Sequence, residues 1–198
     1  MRTLNLADKA PVSEKIQFSN PFIALVNAVL PKKPTARINS TKSLAYKRPI
    51  IGLAEELEQL LREREWFVTG HVKESLFSKN FTFRDPNVEL IGIKNYADGV
   101  RRLFDQKCSK VDIISVVVNE TQKNTITVTW RLSGAVNIGL GLKLKPYLVY
   151  TDYKVDPDDG LIVSQEDRFS IPGYDIVLSA LFPFLIPFLS APAPSVTR

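Results

Sequence analysis

The stretch NFTFRDPNVELIGIKNY, Asn80 to Tyr96, joins two periodicities within seventeen residues. Side chains alternate along a strand, so Phe81 and Phe83 share one face and Thr82 and Arg84 the other. Asp85 continues the Phe face. Pro86 has no N–H to give a ladder, so the strand stops or bulges there, with a carboxylate aimed where the two rings point. From Lys94 to Lys107 the period becomes helical: Tyr96, Val100, Leu103 and Phe104 form one stripe, while Gly99 and the Arg101–Arg102 pair face elsewhere. Gly92 lets the chain turn between the two, and Tyr96 seats the helix against the sheet.

Outward from that stretch the pattern stays mixed. Ile51 to Phe67 reads as a helix whose apolar stripe is Leu53, Leu57, Leu60, Leu61 and the Trp66–Phe67 pair. Glu55, Glu56 and Glu58 lie early and Arg62 and Arg64 late, as the helix dipole favours. A second short helix is predicted over Val72 to Leu76. Downstream, residues 111–119 are β-branched. Residues 124–132 alternate, with Ile126, Val128, Trp130 and Leu132 on one face and Thr125, Thr127, Thr129 and Arg131 on the other. Residues 145–155 and 161–169 read as two further strands around the turn Asp156-Pro-Asp-Asp-Gly160. The intervening residues 133–146 read as a loop. Helices followed by an antiparallel meander make an α+β domain with one bent sheet.

Composition bounds the function. Hydrophobic residues make up 44% and charged residues 24%, ordinary for a globular chain. The net charge of +5 is unevenly placed: residues 1–49 carry nine Lys/Arg and two Asp/Glu, residues 50–198 seventeen and nineteen. A nucleic-acid-binding domain carries its positive charge on the folded part, and this one does not, so no nucleic-acid partner is expected. The single cysteine, Cys108, cannot form an internal disulfide, and no His/Cys/Asp cluster has metal-ligand spacing. No metal and no cofactor are expected. The lone histidine, His71, follows Gly70 in a loop.

Three parts follow: a leader over 1–49, a domain over 50–173 and a tail over 174–198. From Lys15 to Pro49 there are seven basic residues and no acidic one, with Ser, Thr and Pro scattered between. That is the composition of an organelle transit peptide, and equally of a basic arm retained in the mature protein. The leader is expected to pack little against the domain. In the tail, Ile176 to Leu189 carries no charge, and Pro183 and Pro187 break any long helix within it. The segment is too short and too broken to span a bilayer. It either folds back over a hydrophobic groove or meets a membrane surface or a protein partner.

The order of elements, with Phe83, Asp85 and Pro86, then Gly92 and Tyr96, then Trp130 and YTDYKVDPDDGLIVSQEDRF from Tyr150 to Phe169, resembles the nuclear transport factor 2-like superfamily. More narrowly it resembles the domain of unknown function 2358 family, over about Leu53 to Phe184. The resemblance implies a bent sheet wrapped around helices to form a cone with an internal pocket. It implies no established reaction. Members of that family occur in plants, algae, cyanobacteria and animals, and many eukaryotic ones look organelle-targeted. That points to an organelle, plastid before mitochondrion. Two departures stand out: Gln165 lies where members often place a histidine, and residues 133–146 lack a tryptophan expected there.

Enzymes of that superfamily, such as ketosteroid isomerase-like ones, place a carboxylate and a tyrosine in an apolar cavity, where burial raises the carboxylate's pKa and makes it a usable base. Here the candidate pocket is Phe83, Asp85, Tyr96, Trp130 and Asp167, with Asp152, Tyr147 and Tyr150 as further candidates. Set against this, each Asp could be a rim residue paired with an arginine from another strand. Three classes of function remain: a non-enzymatic module binding a small apolar ligand or lipid, an interaction or assembly factor using the sheet face and the tail, and an isomerase- or dehydratase-like enzyme.

Overall fold

The computed structural model describes residues 17–18, 49–138 and 141–196. Helix α1, Ile50–Arg64, buries Leu53, Ala54, Leu57, Leu60 and Leu61 along one stripe. The expected helix to Phe67 is interrupted at Glu65, which takes a left-handed conformation (φ 46°) and lets Trp66–Thr69 begin a separate short helix, α2. Glu65 is held there from both sides. Its N–H donates to the Leu61 carbonyl at 2.9 Å, and its carboxylate accepts the Val111 N–H at 3.0 Å. The break swings Trp66 and Phe67 inward together, and both are buried.

Only Glu74–Leu76 of the predicted second helix is helical, as a 3-10 turn, before strand β2 over Phe77–Arg84. The chain does not simply stop at Pro86. It turns and returns as β3, Val88–Ile91, antiparallel to β2, with Phe83 opposite Leu90. Helix α3, Ile93–Leu103, follows Gly92 (φ 90°), whose N–H donates to the Phe81 carbonyl at 2.7 Å. It is shorter than predicted, because Phe104 leaves the helix and bridges to Val136. A close approach fixes α2 against α3: a Cβ on Gly70 would lie 2.3 Å from the Ala97 carbonyl oxygen, so only glycine fits.

The meander β4 (Lys110–Val118), β5 (Thr125–Val136), β6 (Leu142–Val155) and β7 (Ile162–Phe169) agrees with the predicted strands. Residues 133–146 are a correction. Much of that presumed loop extends β5 and β6, which pair as far as Val136 opposite Leu142. The sheet order is β1-β3-β2-β7-β6-β5-β4, where β1 is Gln17–Phe18, paired with Val88 and Glu89. The leader was expected to stand clear of the domain, yet this dipeptide of it adds to the sheet edge. Its other residues up to 48 lie outside the described ones.

The sheet is mixed rather than purely antiparallel, since β2 runs parallel to β7, Phe83 beside Gln165. β2 reaches its neighbour through the whole of the intervening chain, so no hairpin forces the two to be antiparallel. Register shifts interrupt the pairing at Ile113/Ser115, Leu132/Gly134 and Lys154/Val155, and such irregularities bend and twist strands. The concave face carries Ile126, Val128, Trp130 and Leu132 from β5, all buried as their alternation predicts. Phe81 and Phe83 are buried with them. Phe67 of α2 stacks on Trp130, ring centroids 4.3 Å apart and planes within 6°.

The predicted boundary at 173/174 falls at the start of a further helix, α4, Gly173–Leu181, which a 3-10 turn over Pro183–Phe188 follows. α4 lies on β6. Asp175 forms an ion pair with Lys145, and both side chains are almost fully buried.

Candidate functional site

Between α3, α4 and the concave face of the sheet lies a cavity of about 270 Å³. Its wall is mostly apolar and includes Phe67, Phe83, Leu90, Val100, Leu132 and Ile176. All five predicted pocket residues, Phe83, Asp85, Tyr96, Trp130 and Asp167, line it, as does Tyr147. Asp152 and Tyr150 do not. Asp152 points to the other face of the sheet, where Arg168 holds it at 2.5 Å and the Thr127 hydroxyl donates to it at 2.6 Å.

Asp167 follows from the strand period. Arg168 and Asp167 are sequence neighbours and so face opposite sides, which leaves the arginine with Asp152 and Asp167 without a cation. Among the described residues Asp167 has no ion-pair partner. Its Oδ1 accepts the Thr151 hydroxyl at 2.7 Å and the Gln165 amide at 3.1 Å. Thr151 stands directly opposite it on β6 and in turn accepts the Trp130 indole N–H at 3.0 Å. Gln165 Nε2 also reaches the Tyr96 hydroxyl at 3.3 Å. A polar relay thus runs from Trp130 through Thr151, Asp167 and Gln165 to Tyr96 across an apolar floor.

Burial dominates the electrostatics. It drives the Asp167 carboxyl up to about 7, against the opposing hydrogen bonds from Thr151 and Gln165 and with a further push from the charge of Asp85. Asp85 is raised too, by burial, while the backbone N–H groups of Asn87 and Val88, each 2.7 Å from its Oδ1, pull it back. Its neighbour Arg84 pairs with Glu89 instead. Asp85 is therefore both the residue that closes the β2–β3 turn and a cavity wall. Burial also holds Tyr96 and Tyr147 as neutral phenols, hydrogen-bonding groups rather than bases.

The Gln165 amide oxygen is buried and has no hydrogen-bond partner. With Asp167 ionised, Nε2 donates to it. With Asp167 protonated, a 180° amide flip gives the oxygen two donors, the Asp167 O–H and the Tyr96 O–H. The amide can thus serve either charge state of the carboxyl without changing its own charge.

Sequence reasoning missed Thr151, although the alternation of Tyr147, Val149 and Tyr153 on the buried face of β6 carries it. It also missed the α4 wall, Ile176, Val177, Ala180 and Leu181, because that segment read as tail. Arg102 was expected to face away and instead lines the cavity. Cys108 and His71 are exposed and outside the site. No group of His, Cys, Asp and Glu among the described residues could hold a metal ion.

Residues 53–164, more than half of the chain, match the family described as "Uncharacterized conserved protein (DUF2358)". The chain belongs to that family. Among solved structures it is similar to one described as a SnoaL-like polyketide cyclase from Jannaschia sp. CCS1, at 18% identity and a TM-score of 0.51, covering 72% of this chain and 96% of that one. An LEH-like epoxide hydrolase from M. tuberculosis aligns at 19% identity and a TM-score of 0.44, over 70% of this chain and 96% of that one. An NTF2-like protein of unknown function from Cytophaga hutchinsonii aligns at 15% identity and a TM-score of 0.43, over 64% and 95%. No curated protein matches. The DUF2358 domain of this chain has the nuclear transport factor 2-like α+β fold.

Proposed function

We propose that this DUF2358 protein binds a small apolar molecule or lipid in its cavity without transforming it, and that a hydroxyl or carbonyl of the ligand is held at Asp167. The observation that carries this is an apolar chamber whose floor presents one buried carboxyl with no ion-pair partner among the described residues. An apolar wall supplies affinity and a few convergent polar groups fix orientation. Protonated, Asp167 donates to a ligand oxygen. Ionised, it accepts from a ligand hydroxyl. The acid-poor basic leader supports residence in an organelle, with the plastid preferred over the mitochondrion.

Native mass spectrometry of the protein purified from its own host tests the reading. A retained apolar small molecule, lost when the cavity is filled by a larger side chain at Gly99, is the expected result. A preparation that carries only a protein partner, with the cavity empty under all conditions, would favour an assembly factor instead.

A second reading, acid–base catalysis of the isomerase or dehydratase kind, draws support from an Asp167 that titrates near 7. It has less to stand on geometrically, because Tyr96 reaches Asp167 through Gln165 rather than directly. The two part on one result: an enzyme releases a changed molecule, and Asp167→Asn traps the unchanged one.

A further inference from the structure

Among the described residues, the largest exposed apolar side chains gather in one short span. Leu181, Phe182, Phe184 and Phe188 all face water, Phe184 at 72% exposure and Phe188 at 85%. Such a patch marks a contact surface, since leaving it in water is costly. It is not a loose end. Before it, Asp175 is locked to the buried Lys145; after it, the Ser190 N–H donates to Asp175 Oδ2 at 2.9 Å and Lys145 Nζ donates to the Ser190 carbonyl at 2.6 Å. The Ala193 N–H then donates to the Pro146 carbonyl at 2.8 Å. Both flanks of the ridge are thus tied to β6, and the phenylalanines are presented in a fixed arrangement.

We infer that this ridge docks on an anionic lipid surface, with the cavity's mouth turned toward the bilayer; the second half rests on the cavity being a ligand site. Val177 and Leu181 join the two features, because each lines the cavity and is also exposed. The charge pattern selects the occupant. Ile176 to Leu189 carries no charge, and the nearest acid, Asp175, is neutralised by Lys145. The cation at the same rim is Arg102, which lines the cavity. Arg102 donates Nε to the Asp98 carbonyl and has no carboxylate partner among the described residues. Phenylalanines at acyl depth with an arginine at headgroup level is the layout of a surface-lying membrane contact. Pro183 and Pro187 keep the ridge a short turn, and no described helix is long and apolar enough to cross a membrane.

The test is co-sedimentation of the full chain with vesicles of phosphatidylcholine alone and of phosphatidylcholine with phosphatidylglycerol. Phe184→Ser/Phe188→Ser should weaken binding about tenfold or more, since it removes the buried apolar area. Arg102→Gln should reduce the preference for the anionic vesicles. The basic leader is common to all variants and cancels. Cavity occupancy is read separately, by 1-anilinonaphthalene-8-sulfonate fluorescence in the absence of vesicles. Vesicle binding indifferent to the phenylalanines, or absent altogether, overturns the docking. So does self-association without vesicles that the phenylalanine variant abolishes, because the occupant is then a second copy. Vesicle binding that survives while no dye enters the cavity leaves the docking standing and removes the ligand site.

Discussion

Thr151 and Asp167 face each other across β6 and β7 with the threonine hydroxyl 2.7 Å from the carboxyl oxygen, and among the described residues the carboxyl has no ion-pair partner. A carboxyl held this way lives on hydrogen bonds alone, and its charge is the least stable thing in the cavity.

That gives the sign of the pH dependence. Unfolded, Asp167 loses its proton near the ordinary aspartate value of 3.8; folded, near 7. Between those values the folded state holds more protons, so stability falls as pH rises across the window, and the whole penalty stands above about pH 7. Three pH units correspond to roughly 4 kcal/mol. Asp167→Asn keeps an acceptor for Thr151 and gives Gln165 a permanent donor. Urea unfolding at pH 5, 6.5 and 8 should show a variant that loses less stability with rising pH than the wild type and is more stable than it at pH 8. A variant that tracks the wild type would mean another group carries the dependence.

Gly99 offers a cleaner probe of the cavity than Trp130. Trp130 is buried and stacked on Phe67, so its truncation would cost about 3–5 kcal/mol and confuse fold with site. Gly99 lies in α3 on the cavity wall, and a Cβ there meets only Leu90 Cδ1, at 3.8 Å. Gly99→Ala should raise stability by about 0.5–1 kcal/mol through helix propensity. Gly99→Phe should keep the melting temperature near the wild type's and exclude ligand. Equal ligand retention in both variants would count against the cavity as the binding site.

Lys145 and Asp175 form the most deeply buried ion pair among the described residues. Lys145→Met leaves a carboxylate stranded under α4 and should cost about 3–5 kcal/mol in thermal or urea unfolding. Adding Asp175→Leu should restore most of that loss. Removing residues 174–198 strands Lys145 instead and opens the cavity wall, so it too should destabilise the domain rather than simply free it from a surface.

The leader makes its own prediction. N-terminal sequencing of the native protein from an organelle fraction should begin after Met1 and before Ile50. Cleavage after Phe18 would take Gln17–Phe18 away from β3 and leave Val88–Ile91 as the sheet edge. An intact Met1 in a cytosolic fraction would end the transit-peptide proposal.

Local features were the ones legible in the sequence. Alternation along β5 placed Trp130 inward, and the strand period placed Asp167 and Arg168 on opposite faces without any knowledge of their partners. What stayed hidden was pairwise and remote. Nothing near Phe83 says that Gln165 lies beside it in parallel, and nothing near Lys145 names Asp175. The β3 strand was hidden differently. Pro86 alone reads as the end of a strand, but Asp85 accepting the N–H groups of Asn87 and Val88 makes it the corner of a hairpin, a signal present in Asp-Pro-Asn followed by Val-Glu-Leu-Ile. The first break in α1 was equally silent, since Glu65 adopts a left-handed backbone only because Val111 waits for its carboxylate.

The parallel join of β2 to β7 also sets an order in time. β4 to β7 can zip as successive hairpins, each closing a short loop, whereas β2 must wait for the last strand of the domain to exist. On the ribosome the early helices and the β2–β3 hairpin therefore emerge with their apolar faces unclaimed, and the sheet knits shut only after β7 has appeared. Folding of this chain should be slow for its size, and its half-made form should be the one that needs a chaperone.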